Sequence, residues 1–296
     1  MALASRARWN ALRRRWPPTR RRRGRPGRPR VQFLAVGWNC YPGWLLRDLR
    51  HQPASPWDWM QFFSAASLPL LLTPAGISAL VEDLQISTIS PAGSAEEPHF
   101  WSPRFRVRSP HDHARQPFHS LAESRRLIRT KLERRLERLR QLAADPGLRL
   151  VLLCTSSPGA YGLAGYDPSR LAEDLAALLA AAAEQLQPAQ PLTLLLSGPE
   201  PWPGAAMATG EPLPLPGVGG AFLVKSRWHC EDAYFALTPG SDTERALAEW
   251  ARTLKRWERW LDGPSADPAA GMGRLWSGPI RWGSAIRSRL ASKRSR

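Results

Sequence analysis

Three short apolar segments constrain the fold of this chain more than any other feature. They read VQFLAVG at residues 31–37, LRLVLLCT at 148–155 and PLTLLLS at 191–197. Apolar runs of this length, bounded by turn-forming or polar residues, are typical of fully buried strands. Because helical patterns lie between them, we expect a largely parallel sheet with helices on both faces.

The helical patterns are separated by proline- and glycine-rich segments. One long pattern, over residues 120–143, has leucine and isoleucine at three-, four- and seven-residue spacing. Residues 87–116 are predicted to be mostly extended or loop, and residues 199–219 to be a loop. The predicted helices cover residues 40–50, 120–143, 167–187 and 242–261, with short helical pieces between residues 68 and 84. Pro42 and Gly43 fit the first turn of the helix at 40–50. Asp167 and Pro168 fit the start of the helix at 167–187.

Together these patterns predict a single α/β domain over residues 31–262. Its central sheet is largely parallel and flanked by helices. The segments AFLVKS and DAYFALT are read as two further strands, forming a C-terminal hairpin around RWHCE.

The formal charge of +17 is concentrated at the two ends of the chain. Residues 1–30 hold 12 arginines and no acid, and residues 274–296 hold 7 lysines and arginines and no acid. Residues 31–273 carry 23 basic against 25 acidic side chains. We therefore predict disordered basic arms at 1–30 and 263–296 that contact anionic lipid or nucleic acid. Solvated arms without a specific partner are the alternative.

The cysteines and the hydropathy favour a cytoplasmic protein. The chain has three cysteines, an odd number at wide spacing, which argues against a disulfide framework and for a reducing compartment. No apolar region of a signal peptide follows the N-terminal positive charge, and no segment has the length of a membrane span. We predict a cytoplasmic location, or a peripheral one at the membrane surface through the basic ends.

Cys40 is the main candidate for chemistry. It follows a predicted strand and begins a predicted helix. The start of a helix carries partial positive charge and free N–H groups, which stabilise a thiolate and an oxyanion. The alternative is packing, because free cysteine is among the most buried residue types.

A reactive thiol needs a base, and the segment SPHDHARQPFH offers histidines. His111 and His113 flank Asp112, and on an extended segment two residues at this spacing point the same way. They would serve a nucleophile, bind a metal together with His119, or simply lie on the surface. No motif specifies the remaining metal ligands, so we predict neither a metal nor a cofactor.

Asp58 lies between two tryptophans in SPWDWM. A buried aspartate is costly without partners. Asp58 therefore either caps a turn or helix start, or orients a histidine as in a catalytic triad.

Three motifs in this order resemble a known family. They are Gly37-Trp38-Asn39-Cys40, the stretch Ser55-Pro56-Trp57-Asp58-Trp59, and His111-Asp112. The chain resembles, over roughly residues 31–260, a bacterial family of papain-like cysteine peptidases that is described as a domain of unknown function. Trp57 stands where the family pattern has phenylalanine.

The resemblance implies a Cys–His hydrolase or acyl-transfer enzyme acting on a peptide or acyl substrate. Cys40 would be the nucleophile and His111 the base, with His113 less favoured, and Asp58 would orient or support the site. A papain-like α+β fold is the alternative architecture. The substrate-binding candidates are Trp38, Asn39, Trp57 and Trp59. The alternative function is a non-catalytic glycan- or nucleotide-binding module, linked to cell-surface polysaccharide assembly.

Overall fold

The computed structural model describes residues 29–37, 41–50, 52–89, 95–115, 119–155, 170–198, 212–215, 217–225 and 242–261. Several sequence predictions fall outside these residues: Trp38, Asn39 and Cys40, the Asp167–Pro168 helix start, the DAYFALT strand with its hairpin, and the two basic arms except residues 29 and 30. Arg30, which was assigned to the first arm, is the first residue of strand β1 and lies opposite Leu148.

The larger sheet is mostly parallel, as the three apolar segments predict. Its strands are β1 (Arg30–Ala35), β6 (Leu148–Thr155), β7 (Thr193–Gly198), β8 (Pro212–Pro214) and β9 (Ala221–Lys225). The order across the sheet is β1-β6-β7-β9-β8, and β8 alone pairs in the antiparallel sense. In this register Phe33 lies opposite Val151, and Leu194 lies opposite Leu152 and Ala221.

A second, antiparallel sheet lies between β1 and β6 in the sequence. It consists of β2 (Gln61–Phe62), β5 (Val107–Ser109), β4 (Ala95–Ser102) and β3 (Gln85–Ile89), in that order. The expectation of extended or loop structure over residues 87–116 missed this pairing. Strands β2 and β5 are very short, and β3 is exposed at nearly every position. None of the three therefore shows the alternation of buried and exposed residues by which a strand is predicted from sequence.

Helices cover both faces of the parallel sheet. They are α1 (Tyr41–Arg50), a 3-10 helix (Ala65–Leu72), α2 (Pro74–Asp83), α3 (Pro110–Arg115), α4 (Leu121–Ala144), α5 (Leu171–Leu186) and α6 (Asp242–Leu261). Leu34 and Leu152 pack with α4, α5 and the 3-10 helix, whereas Phe33 and Val151 pack with α1 and α6. The alternation of strand side chains produces these two cores.

The helix predictions are confirmed wherever they fall on described residues. The N-cap Ser120 starts α4 by accepting a hydrogen bond from the Glu123 backbone N–H at 3.1 Å. The mostly parallel sheet with helices on both faces supports the α/β architecture rather than a papain-like α+β one. Two local expectations are wrong: residues 110–115 form a helix, and β8 lies inside the segment predicted as loop. None of the helices in the described ranges is long and apolar enough to cross a membrane.

Candidate active site

The carboxyl end of β1 leads into the segment that carries Cys40. Gly37 follows this strand with a φ of +124°, a conformation that favours glycine. A Cβ atom at Gly37 would lie 2.7 Å from the sulfur of Cys154 on β6. Glycine therefore allows the chain to leave the sheet while it packs against the neighbouring strand. Cys40 itself, with Trp38 and Asn39, lies outside the described residues.

The first turn of α1 packs directly on Asp58. A Cβ atom at Gly43 would lie 2.7 Å from Asp58 Oδ1 and 2.8 Å from its carboxyl carbon. Gly43 is the third residue of α1, and Cys40 precedes it by three positions in the sequence. The Asp58 carboxyl is thus located at the start of the helix that follows the candidate nucleophile.

Asp58 is buried and closes a turn with Ser55. The Ser55 N–H donates to Asp58 Oδ2 at 3.1 Å, and Ser55 Oγ lies 2.9 Å from Oδ1. Ser55 Oγ also lies 2.9 Å from the carbonyl oxygen of Ala35 at the end of β1. Burial raises the pKa of Asp58 to about 6, although the bonds from Ser55 and the charges of Arg135 and Arg47 act in the opposite direction.

The two tryptophans beside Asp58 have different environments. Trp57 is 2% exposed and donates its indole N–H to the carbonyl of Leu68 at 2.9 Å, so it is a core residue in this structure. Trp59 is half-buried and has a φ of +71°, which is strained for a bulky side chain. The guanidinium carbon of Arg47 on α1 lies 4.7 Å from the Trp59 ring centroid.

His111 meets the same tryptophan from α3. Its ring centroid lies 5.1 Å from that of Trp59, in an edge-to-face arrangement at 81°. His113 contacts Phe100 on β4 instead, at 5.6 Å between ring centroids. The expectation that both histidines point the same way is wrong, because on a helix residues two apart are separated by about 200° around the axis.

The third histidine of the metal alternative lies elsewhere. His119 Nδ1 lies 3.2 Å from the Glu123 carboxylate, in a pair formed near the start of α4. Within the described ranges, no group of three histidine, cysteine or acidic side chains is arranged to hold a metal ion.

Asp112, between the two histidines, forms a buried ion pair that was not predicted from the sequence. Its carboxylate is buried and accepts from the Ser109 hydroxyl at 2.5 Å and from the Lys131 ammonium. Burial by itself raises the pKa of Asp112, but Lys131 and Ser109 outweigh it, and the pKa lies below its usual value. The sequence feature that could have indicated this pair is the four-residue spacing of Lys131 and Arg135, which places two cations on one side of α4.

Arg135 connects this ion pair to the Asp58 turn. It is 7% exposed, and its Nη1 donates to the backbone carbonyl of Asp58 at 2.9 Å. Its charge also acts on both carboxyl groups, Asp58 and Asp112. Helix α4 therefore contacts the Asp58 turn through Arg135 and α3 through Lys131.

Comparisons of this chain with protein-family models, with curated proteins and with solved structures found no match.

Proposed function

We propose that this protein is a cysteine-dependent hydrolase or acyl-transfer enzyme, with Cys40 as the nucleophile and His111 as the base. The observation that carries the proposal is the position of Trp59. Its ring contacts Arg47 of α1, the helix that begins immediately after Cys40, and it also contacts His111. The candidate base is therefore separated by one aromatic side chain from the helix that follows the candidate nucleophile.

The chemistry follows from the start of α1. The free N–H groups in a first helical turn stabilise a thiolate and can bind the oxyanion of a tetrahedral intermediate. His111 would take the proton of the Cys40 thiol, and the thiolate would attack the substrate carbonyl carbon. The bond from that carbon to the leaving group then breaks, His111 gives its proton to the leaving group, and a thioester remains on Cys40. Water or an acceptor nucleophile then attacks the thioester and gives its proton to His111, and the carbon–sulfur bond breaks to release Cys40 as the thiolate.

His111 is preferred over His113 because of their different neighbours. His113 contacts Phe100 on the antiparallel sheet, on the side of α3 away from Trp59. Among the substrate-binding candidates, Trp59 is half-buried and suits a wall of the site. Trp57 is a core residue and is not part of the proposal. Trp38 and Asn39 remain predictions from the sequence.

The proposal is tested by acylation and alkylation of the full-length chain. Incubation with p-nitrophenyl acetate should add one acetyl group to Cys40, detected by peptide mass spectrometry. Iodoacetamide should label Cys40 faster than Cys154, which is 1% exposed, and faster than Cys230. The non-catalytic binding module gains support if Cys40 is neither acylated nor alkylated faster than in the unfolded chain.

His113 provides the matched control for the base. Loss of a general base costs roughly 100-fold or more in rate, so His111→Gln should strongly slow acyl transfer from the thioester. His113→Gln should leave that rate within a small factor of the wild type. Equal rates for the two variants would contradict the role of His111.

We also propose that the protein acts in the cytoplasm and that the segments 1–30 and 263–296 bring it to anionic surfaces. The support is the charge distribution, with 12 arginines in the first segment and no acid. Removing residues 1–28, which leaves Arg30 in β1, should weaken co-sedimentation with phosphatidylserine vesicles or retention on duplex DNA at low salt. Unchanged binding to both would show that this segment contributes nothing.

A further inference from the structure

Three oxygen atoms form a chain between β1 and the Asp58 turn. The Ala35 carbonyl oxygen lies 2.9 Å from Ser55 Oγ, and Ser55 Oγ lies 2.9 Å from Asp58 Oδ1. Two hydrogen bonds in this chain require two hydrogen atoms. The Ser55 hydroxyl supplies one and the carbonyl supplies none. Both contacts can therefore be hydrogen bonds at once only when Asp58 carries a proton on Oδ1.

The ionised form of Asp58 permits only one of the two bonds. A carboxylate only accepts, so the Ser55 hydroxyl would have to turn toward Asp58 and would stop donating to Ala35. The link from the turn to the end of β1 then loses its hydrogen. Only the protonated arrangement supplies a hydrogen to each of the two 2.9 Å contacts.

This chain of oxygens connects the two sides of the Cys40 segment. Ala35 is the last residue of β1, and Gly43, which packs on the Asp58 carboxyl, lies in the first turn of α1. Cys40 lies between these two residues in the sequence. The Ser55 hydroxyl contacts one side of the segment and the Asp58 carboxyl contacts the other.

We propose that Ser55 and Asp58 are a positioning pair in which the Asp58 carboxyl is a hydrogen-bond donor to Ser55, and Ser55 in turn donates to Ala35. The pair fixes the strand end and the helix start on either side of Cys40. Asp58 thus acts differently from the ionised carboxylate that orients a histidine in a triad. This inference deepens the proposed function and rests on it where Cys40 reactivity is measured.

The charges around Asp58 determine when the proton is present. Arg135 from α4 and Arg47 from α1 favour the carboxylate, and Arg135 also faces Asp112, next to His111 on α3. Burial has the largest effect and favours the acid; it outweighs the hydrogen bonds that Ser55 offers the carboxylate as well as both cations, and the pKa of Asp58 is raised to about 6. The protonated, hydrogen-bond-donating form of Asp58 accordingly predominates below this pH and is lost as the pH rises through it.

Asp58→Asn separates the two roles. An asparagine amide N–H can replace the acid proton toward Ser55, and its carbonyl oxygen can still accept from the Ser55 N–H. We expect Asp58→Asn to keep Cys40 alkylation within about threefold of the wild type at low pH and to exceed the wild type progressively above about pH 6. Asp58→Ala and Ser55→Ala should both slow alkylation relative to the wild type below about pH 6, where the pair is formed, and the difference should shrink above it. An Asp58→Asn variant that is as slow as Asp58→Ala throughout would overturn the proposal.

Two further measurements keep this test independent of the proposed function. In a Cys40→Ala background, the wild-type sequence should lose stability as pH rises through about 6, and the Asp58→Asn variant should not. Carbon-13 NMR of the aspartate carboxyl groups in the unsubstituted chain should show one resonance that titrates near 6. If Cys40 is unreactive while both results hold, the enzyme proposal fails and the positioning pair stands. If every aspartate titrates below about 5, the pair fails.

Discussion

Lys131 of α4 contacts both carboxylate oxygens of Asp112 on α3, and the two side chains are only 17% and 4% exposed. This ion pair attaches the short helix α3 to the long helix α4. His111 is the residue immediately before Asp112. The position of the candidate base therefore depends on a salt bridge one residue away.

Breaking this pair should be costly. Lys131→Met leaves the Asp112 carboxylate buried without its cation, and we expect the free energy of unfolding to fall by about 3 kcal/mol. The double variant Asp112→Asn/Lys131→Met should recover part of this loss, because the stranded charge is gone. Lys255→Met, on an exposed position of α6, is the control and should cost little. Urea denaturation measures all three, and equal costs for the two lysine variants would contradict the prediction.

The same carboxylate gives the stability a defined pH dependence. The pKa of Asp112 is lower in the folded chain than its usual value of 3.8, so its contribution is present above that value and is lost as pH falls through the folded pKa. The stability difference between the wild type and Asp112→Asn should therefore be larger at pH 6 than at pH 3. Denaturation midpoints at the two pH values provide the measurement, and a difference that grows on acidification would have the wrong sign.

Gly37 should not tolerate a side chain. Gly37→Ala introduces strain at a φ of +124° and places a Cβ atom 2.7 Å from the sulfur of Cys154. We expect a loss of about 2 kcal/mol or more in unfolding free energy. Gly219→Ala is the matched control, since its Cβ would have no atom within 4 Å. Adding Cys154→Ala to Gly37→Ala should reduce only the steric part of the loss, and a complete recovery would show that the backbone is not strained.

Gly43 provides a test of the contact between α1 and Asp58. Alanine favours a helix over glycine by roughly 0.5–1 kcal/mol at interior positions, and Gly43, in the first turn of α1, should follow the same direction. Gly43→Ala should nevertheless destabilise the chain, because its Cβ would lie 2.7 Å from Asp58 Oδ1. In an Asp58→Ala background the same substitution should become neutral or stabilising. Thermal unfolding of the four chains forms the cycle, and equal effects in both backgrounds would exclude the contact.

The sequence predicted the elements that have a clear period and missed those set by tertiary contacts. The apolar strands and the amphipathic helix α6 carry their own patterns, so their positions and the parallel sheet were predictable. The antiparallel sheet was not, because its short strands are defined by their partners. At the site, the motif around Asp58 was found, and its turn with Ser55 is local enough for the turn-capping alternative to describe it. The bond between Ser55 and Ala35 and the ion pair of Asp112 with Lys131 join residues whose proximity only the fold creates.

The pairing of β1 with β6 has a consequence for biosynthesis. Arg30 lies opposite Leu148, so the first strand finds its neighbour roughly 120 residues later in the chain. At a translation rate of about 5–20 residues per second, the apolar segment of β1 waits roughly 6 to 24 s on the ribosome before β6 has been made. A nascent chain stopped before β6 therefore exposes the unpaired apolar strand β1, and we expect chaperones to bind such a chain.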